Sequence, residues 1–592
     1  MNRIIAFLLA FIFSFSVPSS FITSASADSE VASADNFFTG TGGSADGITN
    51  TGKWRLGYSK QLLTPDDFGS KTYYAGGNFS VKATEHLFNG FCVPLHQKYT
   101  DIYTRAIAVE DGSGRGISAI AVADCIGLTN VDVRNIRALI LQKAGDDFRF
   151  ADITIGATHC HSCIDTQGVW SNPLRKGSEN LLRLLLGQKD SLVPGYDSEY
   201  MKFLYEQTAE AVIDACRNMQ PGTLTYTSKE IGNSEHVYYE EYDWEYVYNI
   251  YFHHKANRST SIELNANLSR FVFHPENSAS RPVMLVNFAA HPYYTAYPDN
   301  NNQKGDGLSG DFIYYMDDII SKAGYDFLFF NGSLASVYTQ DSYVTNRQPA
   351  INTRDAAMRQ YGTVLGKIAL SMTKTRAEIE ADPFLVDKEK ETEEREIFIQ
   401  EAQEDIQRAE QNGYPPPVYF CWYEWHTPSA EVTLPPQLDT YFSEVQFEIN
   451  NPILYIGGKL NLVPAQQVKK NGKTYIVSEI GLLQFGGKVS IVLVPGELFP
   501  ELEIGGKMLT AQGSCRGVDF PYPPLREMLG EHIIVFGLAN DAVGYIIPDN
   551  DYKFNLNVRE HYHELLSLGR HTASEMMGAF QAMVAENEIP IL

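Results

Sequence analysis

The sequence predicts an α/β chain: mixed sheets with buried central strands, flanked by helices. Three observations carry that expectation. Short runs such as Ile153-Thr154-Ile155, Met284 to Phe288, Ile491 to Val494 and Ile533 to Phe536 are largely apolar, as strands covered on both faces are. Segments with helical spacing lie between strand runs, as at Val133, Ile136, Ile140 and Leu141. Strand and helix alternate along much of the chain, the order of an α/β or mixed sheet.

Taken in order, residues 1–27 read as a cleavable signal peptide. Arg3 supplies the positive start, Ile4 to Val17 the apolar core, and Ala25-Ser26-Ala27 the small-residue cleavage site. That apolar run is shorter than the ~20 residues of an ordinary membrane span. The mature protein is therefore expected to be exported and soluble. Residues 28–50, rich in Ser, Gly, Ala, Thr and Asp, read as a flexible leader. Its Gly40-Thr41-Gly42-Gly43 is no phosphate loop, because no strand precedes it and no Gly-Lys-Ser/Thr follows.

From Trp54 onward a folded domain, 51–592, is expected. Gly116 to Ala123 reads as a strand, Val131 to Ala144 as a helix, and Asp197 or Ser198 as the cap of a helix running to about Met219. Tyr325 to Phe330 reads as a further strand and Thr353 to Ile379 as one long helix. Glu391 to Gln411 is Glu-, Gln- and Arg-rich with a thin apolar stripe, and reads as a solvated helical insertion around 385–415.

The 592 residues suffice for a large core, and 44% hydrophobic and 12% aromatic content describe a packed globular protein. A formal charge of −25, or −26 once Arg3 is removed, argues against nucleic acid or anionic lipid as a partner held by bulk charge. The seven Cys lack a disulfide-framework spacing, and Cys160 and Cys163 bracket His161 in a C-x-x-C. The neighbouring His159 and His161 explain that segment without a redox role.

The chemistry-bearing residues sit where apolar runs end. Ile153 to Gly156 leads to His159 and His161, Met284 to Phe288 to His291, Ile491 to Val494 to Glu497, and Ile533 to Phe536, through Asn540, to Tyr545. In open α/β sheets, ligands gather beyond the carboxyl ends of strands. On a continuing strand His159 and His161 would share a face, with Cys160 opposite. Alone, His291 reads as a packed core histidine and Tyr545 as packing. Glu497, behind a buried strand, needs a cation or donors nearby, or else favours the start of a helix continuing from Leu498 to Met508. Together, two imidazoles, a carboxylate and an open position form the donor set of catalytic zinc. Competing motifs fail: His563-Glu564-Leu565-Leu566-Ser567 lacks the second His of H-E-x-x-H, and no G-x-S-x-G occurs.

At these residues the chain resembles the catalytic domain of the neutral/alkaline, non-lysosomal ceramidases. The resemblance rests on Thr158-His159-Cys160-His161-Ser162, Asn287-Phe288-Ala289-Ala290-His291, Val494-Pro495-Gly496-Glu497, and Gly537-Leu538-Ala539-Asn540 followed by Tyr545. Lesser echoes are Asn257-Arg258-Ser259 and Ser309-Gly310-Asp311. It implies a zinc amidase in which His159, His291, Glu497 and Tyr545 hold Zn2+, while His161 and Arg258 line the substrate site. His161 is a candidate general base, and Tyr545 a donor to the developing oxyanion. The implied substrate is an N-acyl compound or lipid such as ceramide, reached through transient contact with a membrane surface and cleaved to fatty acid and sphingosine.

The chain departs from the family after Ser162, where Cys163 to Gly168 replace a Gly-Pro-Gly-rich loop, and at Gly332-Ser333-Leu334-Ala335-Ser336. The residues after Tyr545 are too few for the family's immunoglobulin-like C-terminal domain, which is not expected. Rival expectations are a zinc amidase or esterase acting on a non-ceramide substrate, and an inactive exported binding protein of the same fold.

Overall fold

A computed structural model of the chain describes residues 52–77, 92–171, 173–231, 235–239, 244–248, 252–255, 263–293, 307–339, 354–412, 421–424, 426–554 and 562–592. The expected signal peptide, the leader and Arg258 lie outside the described residues.

The first part of the chain supplies β1 (Trp54–Leu62), β2 (Tyr103–Glu110), β3 (Ile117–Ala123), β4 (Phe150–Ala157), β5 (Gln220–Glu230), β6 (Asn267–Pro275), β7 (Val283–Phe288) and β8 (Asp326–Asn331). They hydrogen-bond in the order β8-β7-β6-β5-β1-β2-β3-β4, with the short strand Val432–Leu434 added to β5. Pairing is antiparallel except for β7 with β8 and β3 with β4. The later chain supplies β9 (Leu438–Glu448), β10 (Lys473–Phe485), β11 (Val489–Val494), β12 (Glu497–Leu498), β13 (Ile533–Gly537) and β14 (Tyr545–Ile546). A second sheet runs β9-β10-β11-β13, extended by Gln467–Lys470 beside β10, while β12 and β14 pair only with each other.

The strand period of two explains the layering. In β7 and β8, Leu285, Leu328 and Phe330 point to the core between the sheets, where they meet Leu483, Phe485, Ile491 and Phe536. Met284, Val286, Phe327 and Phe329 point the other way, into the core lined by helices. Aromatic rings close the inner layer: Phe330 lies 4.9 Å from Phe536 and Phe271 5.3 Å from Phe485, centroid to centroid. The outer face of the first sheet is covered by α1 (Asn130–Ala144), α3 (Ser198–Arg217), α4 (Asp311–Lys322) and α5 (Arg354–Ser371), with α2 (Pro173–Leu185) preceding α3 on the surface. The outer face of the second sheet meets α10 (Thr572–Asn587). Mixed sheets flanked by helices are thus the observed fold.

Caps mark the helix ends. The side chain of Asp197 accepts from Glu199 and Tyr200 N–H and starts α3, as its sequence suggests. The single helix expected over 353–379 is two. After α5, Thr375 and Glu378 form a capping box that starts α6 (Arg376–Ala381) afresh. The charged segment expected as a helix around 385–415 is α7 (Lys388–Asn412), with Ile397 and Ile399 exposed. Farther on, α8 (Pro452–Lys459) precedes β10, and α9 (Pro500–Ile504) follows β12.

The carboxyl ends of both sheets converge. Asn540, at φ 64°, donates its N–H to Ile155 C=O (2.7 Å) and accepts from Ile155 N–H through Oδ1 (3.0 Å). Asn287 Nδ2 donates to Phe330 C=O and to Val535 C=O. Asn331 Nδ2 donates to Thr158 C=O, tying β8 to the far end of its own sheet.

Candidate metal centre

β4 ends at Ala157, so His159 and His161 do not ride a strand, and the alternation argument that placed them on one face does not apply. They meet because His159 takes the left-handed conformation, φ 60°, which folds the chain back. Three backbone bonds hold the turn: Thr158 N–H to Ala123 C=O, Cys160 N–H to Cys125 C=O, and His161 N–H to Pro292 C=O. The rings of His159 and His161 then stand edge to face, 4.8 Å between centroids.

His291 follows β7, and Val337 C=O accepts from both its backbone N–H (3.1 Å) and its Nδ1 (2.8 Å). Glu497 is not at a helix start. The helix expected over 498–508 is only α9, five residues long, closed by Gly505 and Gly506 at φ 88° and 137°. Glu497 instead lies in β12, paired in parallel with β14 so that it stands directly opposite Tyr545.

The structure brings four of the expected residues into one buried cluster. His159, His161 and His291 offer nitrogens all within 4.8 Å of one another. His161 Nε2 is 3.2 Å from His159 Nε2, and Glu497 Oε2 is 3.3 Å from His159 Nε2 and 3.2 Å from His291 Nε2. Tyr545, also buried, is set beside Glu497 by the strand pairing.

The tautomers follow from the partners. His159 Nδ1 is 2.8 Å from Ile126 C=O and His291 Nδ1 is 2.8 Å from Val337 C=O. A carbonyl only accepts, so each Nδ1 carries its proton and each Nε2 presents a lone pair. Both lone pairs face the Glu497 carboxylate. Burial, together with neighbouring imidazoles, pushes His161 and His291 below the ordinary histidine value, so both favour the neutral form.

Two acceptor nitrogens against a carboxylate oxygen, all buried, repel unless a cation sits among them. Ligand atoms around a tetrahedral zinc stand about 3.3 Å apart when each is about 2.0–2.1 Å from the ion, close to the 3.2–3.3 Å separations here. The donor set fits a divalent metal, and His159, His161 and His291 could hold one.

Two residues unexploited by the sequence reading adjoin the cluster. Ser336, at φ 60°, places its Oγ 2.6 Å from His563 Nε2, and both side chains are buried. His563 stands edge-on to the Tyr545 ring at 4.6 Å between centroids. Sequence noted His563 only as a failed metalloprotease motif and Ser336 only as part of a departing stretch. Their meeting, 227 positions apart, has no local signal. The Cys160 and Cys163 thiols are unpaired and buried, both aimed at Ser309 C=O (3.2 and 3.4 Å), and burial pushes both pKa values up.

Comparison with solved structures shows the same fold in two proteins. A neutral ceramidase from Pseudomonas aeruginosa superposes with a TM-score of 0.53 at 14% identity, covering 91% of this chain and 76% of that one. A ceramidase complexed with C2 superposes with a TM-score of 0.52 at 13% identity, with the same coverage. No protein-family model matches the chain, and no curated protein matches it in sequence.

Proposed function

We propose that this chain is a zinc-dependent hydrolase of linear amides, ceramidase-like, that splits N-acyl lipids into a fatty acid and an amine. The single observation that carries this reading is the meeting of two imidazole lone pairs on the Glu497 carboxylate, with His161 beside them. The shared fold of two solved ceramidases supports the substrate class, and residues 1–27 support export.

His159, His291 and Glu497 would hold the ion, with Tyr545 at its edge. Zinc supplies Lewis-acid polarisation of the carbonyl and lowers the pKa of water towards neutrality. His161, half-buried where its two neighbours are buried, is the proton carrier at Nε2. It takes a proton as the water oxygen bonds to the acyl carbon, and returns it to the amine nitrogen as the C–N bond breaks. Tyr545 donates to the developing oxyanion; for Arg258, outside the described residues, the substrate-lining role stays what the resemblance implies.

The test is a zinc determination on protein purified without chelator, joined to a panel of ceramides and short N-acyl amino acids. Stoichiometric zinc with ceramide turnover is expected. Loss of both by more than about 100-fold is expected in His159→Ala and Glu497→Ala. Full activity in either variant refutes the site; activity on N-acyl amino acids alone refutes the lipid.

A further inference from the structure

The turn after β8, residues 334–337, brackets the metal cluster. Ala335 N–H donates to the C=O of Leu498 (3.1 Å), the neighbour of Glu497 in β12, and Val337 N–H closes the turn on Leu334 C=O (2.9 Å). Val337 C=O then accepts both the backbone N–H of His291 (3.1 Å) and its Nδ1 (2.8 Å). That one carbonyl sets the tautomer and the direction of the His291 ring. Between these contacts sits Ser336, at φ 60°. A serine there carries backbone strain that a glycine would not.

A side-chain bond across the fold pins the turn. Ser336 Oγ lies 2.6 Å from His563 Nε2, and both side chains are buried. His563 belongs to the short helix Tyr562–Leu565. Leu566, which follows it, donates its N–H to His563 C=O (3.1 Å) and accepts Tyr545 N–H at its own C=O (3.2 Å). The His563 ring also stands edge-on to Tyr545, at 4.6 Å between centroids, and to Phe499 at 5.5 Å. The pair thus reaches the supports of three cluster residues: His291 through Val337, Glu497 through β12, and Tyr545 directly. His159 is held elsewhere, against Ile126 C=O.

We propose that Ser336 and His563 are positioning residues, forming a strut that fixes the His291 and Tyr545 rings relative to Glu497. The proposal rests on the metal reading of the cluster. Two buried polar side chains that only satisfied one another would not require a left-handed backbone beside a ligand's carbonyl. Groups one bond behind a metal ligand alter affinity for the ion by about 10–100-fold when removed. The strut is therefore read in metal affinity.

The experiment measures the zinc affinity of the full chain, by competition with a chelator, in the parent, Ser336→Gly, His563→Phe and the double variant. Glycine adopts φ 60° without strain, so Ser336→Gly should leave the Tm of the metal-free protein no lower than the parent's. Phenylalanine keeps a ring against Tyr545 and loses the bond to Ser336. Each single variant is expected to bind zinc about 10–100-fold more weakly. The double variant should bind no more weakly than the poorer single, because the same strut is broken in all three. His563→Gln, whose amide nitrogen can replace Nε2, should recover parental affinity to within about threefold. Cobalt(II) bound in place of zinc should show shifted visible bands in both single variants and parental bands in His563→Gln. Parental zinc affinity and parental cobalt bands in both singles overturn the strut, as does a double variant whose losses simply add. A parent that binds no zinc overturns the strut and the metal reading together. Zinc binding that follows the expected pattern, without turnover of any N-acyl substrate, sinks the amidase reading and leaves the strut in place.

Discussion

Gly77 has φ 83°, and a Cβ there would stand 2.4 Å from His161 Nδ1. Gly77→Ala should displace that imidazole and strain the backbone together. A fall in kcat/KM of about tenfold or more is expected, with zinc still bound through the other ligands; an unchanged kcat/KM would remove His161 from the reaction. Asp541 is a different kind of residue. Buried, and accepting from Asn130 and Ala542 N–H, its carboxyl is nonetheless pushed up to about 7, chiefly by burial. A folded-state pKa above the unfolded one means that folding favours the proton. The associated stability is present below about pH 4 and lost as pH rises through about 7, with a ceiling of about 4 kcal/mol. Asp541→Asn should therefore flatten that part of the pH dependence, read as urea unfolding at pH 5 and pH 8; equal slopes in variant and parent contradict the assignment. The chemistry-bearing residues His159, His291 and Glu497 were legible in sequence because metal chemistry restricts the residue types and each follows an apolar run. Ser336 and His563 were not, since a left-handed kink and a contact across the fold give them their meaning.

Among the elements, strands were read better than helix ends. Apolar runs located β4, β7, β11 and β13 because burial on both faces leaves few polar choices. Helices over-ran where a local competitor stopped them: the Thr375 capping box divided 354–381, and Gly505-Gly506 cut α9 short. The turn at His159 was missed because nothing in Thr-His-Cys-His advertises a positive φ. α2 is the element whose orientation the sequence hides, since polar Asn180 is buried while Leu182, Leu185 and the following Leu186 are exposed. Asn180→Ala leaves Val193 N–H, Val193 C=O and Leu460 C=O without their partner. A loss of about 2–3 kcal/mol in urea unfolding is expected, and α2 should exchange amide hydrogens faster than α3. Unaltered protection in α2 would show that Asn180 does not anchor it.

For the whole molecule, the face-to-face sheets could not be read from sequence. Periodicity tells which residues are buried, whereas the order β8-β7-β6-β5-β1-β2-β3-β4 is set by long-range pairing. His159 and His291 follow strands of the first sheet and Glu497 follows β11 of the second, so a cation held among them would tie the layers to one another and its binding energy would become folding energy. Adding zinc to chelator-treated protein at about 100 times its Kd should stabilise the fold by about 2.7 kcal/mol. A rise in Tm is expected by calorimetry in the parent and none in Glu497→Gln; an equal rise in both would place the ion elsewhere. The separation of the donors along the chain has a consequence for biosynthesis. His291 and Glu497 are 206 positions apart, and Tyr545 joins Glu497 only when β14 exists to pair with β12. A ribosome-bound chain that has not passed Tyr545 owns the early histidines but not the complete cluster. An ion held by the complete cluster would therefore be captured late in the life of each molecule, from the compartment in which the finished chain folds.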